Sequence, residues 1–225
     1  MTVLEKIIWT PLGDAHFIKE ETAKHQIYVH HTASSPDPYG VLDWWRHTPE
    51  RVATSFVIAG RPAGGNARWK DGDIIQCFSS KHWAWHLGLK ASHLVKGGKT
   101  STWLNQMSVG IEICNFGFLT EKSTGFYAYT GARIADVDVC ELSVPFRGYK
   151  FYQKYTEAQL DNTRELLLYL GQTWDIDLKY KGDEIFDIDK RALMGERGIW
   201  AHSSVRKDKF DVYPYPPLIN MLKSL

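Results

Sequence analysis

The sequence predicts an α/β fold: a central mixed β-sheet flanked by helices. Three observations predict it. β-prone runs and helix-periodic runs alternate along the chain, one β-prone run is apolar almost throughout, and an Asp-Gly turn signal links two short strand-like runs as antiparallel neighbours. The 225 residues, 44% of them hydrophobic and 13% aromatic, suffice for one substantial core, so a single domain over 1–225 is expected.

The elements follow in order. Gln26-Ile27-Tyr28-Val29-His30-His31 is β-branched and aromatic until Ser34-Ser35-Pro36-Asp37-Pro38 breaks it, so two histidines sit at a strand end. Gly40 to His47 has helical spacing, with Val41, Trp44 and Trp45 on one apolar side and Pro49 as a stop. Ser55-Phe56-Val57-Ile58 and Asp73-Ile74-Ile75-Gln76-Cys77-Phe78 are the strand pair joined through Asp71-Gly72. Ser108 to Cys114 reads as a central strand whose one charged residue is Glu112, and an acid in that setting needs a reason. The stretch 118–154 has weak periodicity and is expected to be an elaborated loop or hairpin laid over the core. Thr156-Glu157-Ala158-Gln159 fits a capping box, and Leu160, Thr163, Leu166, Leu167, Leu170 and Trp174 then recur at helical spacing, a face that should pack on the sheet. Gly198 to His202 is a last short strand ending in histidine, and Pro216-Pro217 opens a terminal helix through Leu222.

Charge and cysteine content exclude several classes. Lys and Arg total 27 against 26 Asp and Glu, and a net charge of +1 gives no general attraction to nucleic acid or an anionic membrane. No run approaches the roughly 20 apolar residues that insertion across a membrane requires. Met1 to Pro11 lacks a basic start followed by an apolar run, so cytoplasmic synthesis without a signal peptide is expected. A substrate in the cell wall would then be reached by lysis or a dedicated export route. Three scattered cysteines without a Cys-x-x-Cys pair point to buried small side chains rather than a disulfide framework.

The residues that carry chemistry are the polar ones at strand ends: His30, His31, Glu112, His202 and the cluster Lys207-Asp208-Lys209-Phe210-Asp211. Two imidazoles and a carboxylate are a common ligand set for a catalytic zinc, which keeps one position open for water. Spacing alone leaves other readings open. A histidine at a strand end is more often structural, Glu112 could be a buried acid paired with a base, and Asp211 could be a solvated loop acid.

Tyr28-Val29-His30-His31-Thr32-Ala33, Trp85-His86-Leu87-Gly88, Ser108-Val109-Gly110-Ile111-Glu112, and His202 with Lys209-Phe210-Asp211 resemble, in order, the successive motifs of the type 2 N-acetylmuramoyl-L-alanine amidases. That family shares its fold with peptidoglycan recognition proteins and phage lysozyme-type amidases. The resemblance runs from about His25 to Pro216 and leaves 118–154 as an insertion. It implies that His30, His202 and Asp211 bind Zn2+, that Glu112 is the catalytic carboxylate, that Lys209 supports the oxyanion, and that His86 touches substrate, with the adjacent Trp85 a substrate-binding candidate by its place in the motif. His31 falls where the family varies, which implies a supporting or packing role. Val212-Tyr213-Pro214 stands where relatives have Pro-Gly-Pro, so the loop path should differ, and Thr54 lies near the position of a tyrosine used by the phage lysozyme branch. The implied activity is hydrolysis of the amide between N-acetylmuramic acid and L-alanine in peptidoglycan or a muropeptide. The alternative is a non-catalytic peptidoglycan-binding module on the same fold; retention of all three ligand positions favours the enzyme. Among nine tryptophans, Trp83, Trp85 and Trp103 flank the matched motifs and are the candidates for the cleft.

Overall fold

The β-prone runs become two sheets. A computed structural model describes residues 3–65 and 67–225, so Met1 and Thr2, the start of the N-terminal segment considered above, lie outside it. The helix α1 (Val3–Lys6) leads into β1 (Ile7–Trp9), followed by β2 (Gln26–His31), α2 (Pro38–His47), β3 (Phe56–Ile58), β4 (Ile74–Gln76), α3 (Ser101–Gln106) and β5 (Ser108–Ile113). The strands β6 (Phe118–Lys122), β7 (Gly125–Ala128), β8 (Arg133–Ile134), β9 (Val139–Phe146) and β10 (Tyr149–Gln153) come next. The chain closes with α4 (Glu157–Trp174), α5 (Lys190–Leu193), β11 (Gly198–Ala201) and α6 (Pro216–Lys223).

The main sheet has the order β1-β4-β3-β5-β2-β11. Its strands β3, β5, β2 and β11 run parallel, and β4 runs antiparallel to β3, as the Asp71-Gly72 signal predicts. Every residue of β2 is buried, because the strand is covered on both faces, which is why Ile27, Tyr28 and Val29 form an unbroken apolar run at its centre rather than an alternating one. Helices flank this sheet, and no helix among the described residues is long and apolar enough to cross a membrane. Cys77, Cys114 and Cys140 are buried free thiols.

The helix α4 covers one face. Thr156 and Gln159 form the expected capping box, and Leu160, Leu166, Leu167 and Leu170 share a core with Ile27, Val29, Ile58 and Ile111 of the sheet. The Thr156 hydroxyl also donates to Asp71 Oδ1 at 2.8 Å, tying the helix start to the β3–β4 turn. Thr156→Ala should therefore destabilise the fold by about 1 kcal/mol or more, read as a lower midpoint with an unchanged slope in urea unfolding.

The helix α2 begins at Pro38, two residues before the expected Gly40, because Asp37 caps the Tyr39 amide and a proline suits the first turn. Val41, Leu42 and Trp45 are buried, whereas Trp44 is 59% exposed. One residue of helix rotates the side chain by roughly 100°, which takes Trp44 off the stripe assigned to it.

The stretch 118–154 is not a loop or single hairpin. It forms an antiparallel five-stranded sheet in the order β8-β7-β6-β10-β9 around Leu119, Ala128 and Ile134. Its strands alternate too briefly to register as a period: β6 buries Leu119 and then exposes three residues, and β9 buries Cys140 and Leu142 before turning outward.

Candidate active site

The carboxyl ends of the parallel strands meet at one place. In the register of β2 and β5, His30 lies opposite Glu112, and β11 pairs Ala201 with Val29, so His202 emerges at the same end. The chain then turns and returns, with the Ser203 amide donating to the Asp211 carbonyl at 3.0 Å. This brings His30 Nδ1 within 2.9 Å of His202 Nδ1, His202 Nδ1 within 2.9 Å of Asp211 Oδ2, and His30 Nδ1 within 3.2 Å of the same oxygen. The three residues are 2%, 4% and 7% exposed, and together they could hold a metal ion.

The donor chemistry fits that use. Burial and the neighbouring His202 push His30 down to about 4, so it is neutral near pH 7. Burial raises the Asp211 carboxyl, but His202 and His30 outweigh that and hold it well below the usual carboxylate range. His202 Nε2 lies 3.0 Å from the Leu87 carbonyl, which can only accept, so that nitrogen carries a hydrogen and Nδ1 is the ring atom turned towards the cluster. A carboxylate oxygen facing imidazole lone pairs at this range is a donor set for a divalent cation with mixed N and O ligands.

Glu112 and Lys209 share a cleft of about 660 Å³ with this triad. Glu112 is half-buried in the wall, and burial followed by the charge of Asp211 pushes its carboxyl well above its ordinary value. Lys209 is half-buried, and among the described residues no acid forms an ion pair with it, since the adjacent Asp208 is taken by Arg206. The site thus brings together a His-His-Asp cluster that could hold a metal ion, a carboxyl held above its ordinary pKa, and an ammonium without an ion-pair partner among the described residues.

The family model for N-acetylmuramoyl-L-alanine amidase matches residues 21–214, which include every one of these groups. The chain belongs to this amidase family. No curated protein matches its sequence. Among solved structures, PlyL is similar over 96% of this chain and 96% of that one, with 14% identity and a TM-score of 0.52. The catalytic domain of XlyA is similar over 97% of each chain, with 17% identity and a TM-score of 0.51. The N-acetylmuramyl-L-alanine amidase AmiD from E. coli, solved with the substrate anhydro-N-acetylmuramic acid-L-Ala-D-gamma-Glu-L-Lys, is similar over 91% of this chain and 59% of that one, with 18% identity and a TM-score of 0.52. At such identities the likeness is one of fold.

Within this amidase fold the aromatic and histidine assignments shift. His86 lines the cleft, yet both ring nitrogens are engaged by protein: Nδ1 lies 3.0 Å from His30 Nε2 and Nε2 lies 2.8 Å from Ser108 Oγ. Trp85 is not among the cleft-lining residues; its indole meets Trp83 edge-on with centroids 5.0 Å apart. Trp103 packs against His25 with centroids 5.6 Å apart, also away from the cleft. The cleft aromatics are instead Trp44, Trp45, Phe118, Tyr129 and Phe210. Trp44 was visible in the helical pattern but misplaced on its buried side, and Tyr129 lies in the segment whose pattern was illegible.

His31 is buried at the cleft wall, where its Nδ1 meets the Tyr155 hydroxyl at 2.8 Å. The departure from Pro-Gly-Pro after Asp211 has a packing reason as well. Tyr213 is buried, stacks on Tyr152 and Tyr155 with centroids 4.3 and 5.2 Å away, and donates to the Gln153 carbonyl at 2.7 Å. The loop that carries Asp211 is thereby fastened to the last strand of the 118–154 sheet. Thr54, near the tyrosine position of the phage lysozyme branch, is buried with its hydroxyl donated to the Phe56 carbonyl, and serves the backbone.

Proposed function

We propose that this amidase is zinc-dependent and hydrolyses the amide between the lactyl group of N-acetylmuramic acid and L-alanine in peptidoglycan or its muropeptides. The observation that carries the proposal is the convergence of His30 Nδ1, His202 Nδ1 and Asp211 Oδ2 beside Glu112 in one cleft. Zinc held by these three residues supplies polarisation of the amide carbonyl and brings the pKa of water down to about 7. Glu112 takes a proton from the attacking water as its oxygen bonds to the carbonyl carbon. It then returns that proton to the alanine nitrogen as the C–N bond breaks, so one carboxyl serves as base and then acid. Lys209 places a positive charge beside the oxyanion of the tetrahedral intermediate, where exclusion of water strengthens the attraction.

The decisive experiment is digestion of purified peptidoglycan followed by quantification of newly exposed L-alanine amino termini. Protein treated with a chelator should release none, and one equivalent of Zn2+ should restore release. Zinc-loaded protein that binds peptidoglycan without releasing amino termini would identify the binding module instead.

The substrate must also lie along the walls of the cleft, where Trp44 is 59% and Tyr129 64% exposed. Aromatic faces suit the apolar faces of sugar rings. Trp44→Ala is expected to raise KM roughly 2- to 13-fold, the equivalent of an aromatic contact of about 0.5–1.5 kcal/mol, with kcat little changed. Steady-state kinetics on soluble wall fragments would measure it, and a fall in kcat at constant KM would remove Trp44 from substrate binding.

A further inference from the structure

We infer that Ser108 and His86 form a positioning relay that fixes the tautomer of His30, so that its Nδ1 meets the metal as a lone pair. The inference rests on the metal reading of the triad, and its polarity is set by a backbone carbonyl at its far end. Ser108 Oγ lies 2.6 Å from the Leu104 carbonyl, which belongs to the last turn of α3, where carbonyls lack partners within the helix. That oxygen can only accept, so the Ser108 hydroxyl donates to it. Ser108 Oγ must then accept from His86 Nε2 at 2.8 Å, which puts the His86 hydrogen on Nε2 and leaves its Nδ1 an acceptor. His86 Nδ1 in turn accepts from His30 Nε2 at 3.0 Å. With its hydrogen on Nε2, the neutral His30 ring turns an Nδ1 lone pair towards His202 Nδ1 and Asp211 Oδ2. Reversing any one link would set two donors or two acceptors against each other in a buried chain, where an unmade hydrogen bond is expensive.

One face of β5 is laid out for this purpose. Residues two apart on a strand share a face, and Ser108, Gly110 and Glu112 are such a series. Ser108 anchors the His86 ring and Glu112 supplies the carboxyl. Gly110 makes the room between them: a Cβ there would lie 3.0 Å from His86 Nδ1 and 2.7 Å from Thr54 Cγ2. The match of Ser108-Val109-Gly110-Ile111-Glu112 to a family motif therefore has two parts, an acid at one end and a hydrogen-bond anchor for a metal ligand at the other.

Ser108→Ala tests the relay with little change in volume. Groups that orient a ligand histidine typically carry 10- to 100-fold in metal affinity, so the zinc Kd from chelator competition should weaken by roughly that factor, and Ser108→Thr should restore it. A Ser108→Ala protein with wild-type affinity overturns the relay. The second measurement needs no variant: long-range 1H–15N correlation of the imidazoles in chelator-treated wild type should show His30 protonated on Nε2. A hydrogen on His30 Nδ1 overturns the inference whether or not the variants fold. Neither readout is activity, so a wild-type protein that binds no zinc but shows the Nε2–H pattern would sink the metal reading and leave the relay standing.

Discussion

Glu112→Gln is expected to lower kcat by roughly 10²–10⁴-fold with zinc content unchanged. The amide has nearly the shape of the carboxyl, and Glu112 lies outside the His30, His202 and Asp211 cluster that could hold a metal ion, so the metal should stay. What is lost is the proton carrier. The pH profile offers a second check on the same residue. Burial, then the charge of Asp211, push the Glu112 carboxyl well above 4.5. Its ionised form is the base, so activity is present above the raised pKa and is lost as pH falls through it. The acid limb of kcat/KM should therefore lie above the ordinary carboxylate range, and it should vanish from the residual activity of Glu112→Gln. A variant with wild-type release of L-alanine amino termini would remove Glu112 from the mechanism.

The sequence reveals those parts of the molecule in which one physical demand acts alone. The helix α4 is legible because its cap and its stripe of Leu160, Leu166, Leu167 and Leu170 answer to a single core. The acid in β5 stands out because nothing about burial favours it. The site residues on strand ends, His30 and His202, are legible for the same reason, and order along the chain joins them to Asp211. The tryptophans fail this test. Trp44, Trp83, Trp85 and Trp103 have the same side chain in locally amphipathic surroundings, and only the helix rotation and tertiary packing decide that Trp44 faces the cleft while Trp83 and Trp85 pack on each other. The 118–154 sheet is hidden because its five strands share a small core and leave much of their surface exposed, which erases the alternation. His86 shows a third kind of limit. Its residue type suits substrate binding and ligand support equally, and the choice falls to the partners of its two nitrogens, Ser108 and His30.

Asp211→Asn should separate metal binding from folding. In the metal-free protein the buried Asp211 oxygen lies 2.9 Å from Nδ1 of His202 and 3.2 Å from Nδ1 of His30, and against the cost of burial His202, with His30, holds its carboxyl well below the usual range. An asparagine has the same outline and can hydrogen-bond the same two ring nitrogens through its oxygen or its NH2, so the contacts are kept while the negative charge is lost. Chelator-treated Asp211→Asn is therefore expected to melt close to chelator-treated wild type. With zinc the two separate. A ligand that binds only the folded state stabilises it by about 4 kcal/mol at a thousandfold excess over Kd, and wild type should gain in Tm accordingly, whereas the amide variant gains little and is inactive. Scanning calorimetry with and without zinc measures both differences. An Asp211→Asn protein whose Tm rises with zinc as far as wild type's would mean that the carboxylate is not a ligand. A variant that melts well below chelator-treated wild type would mean that Asp211 serves the fold before it serves the metal.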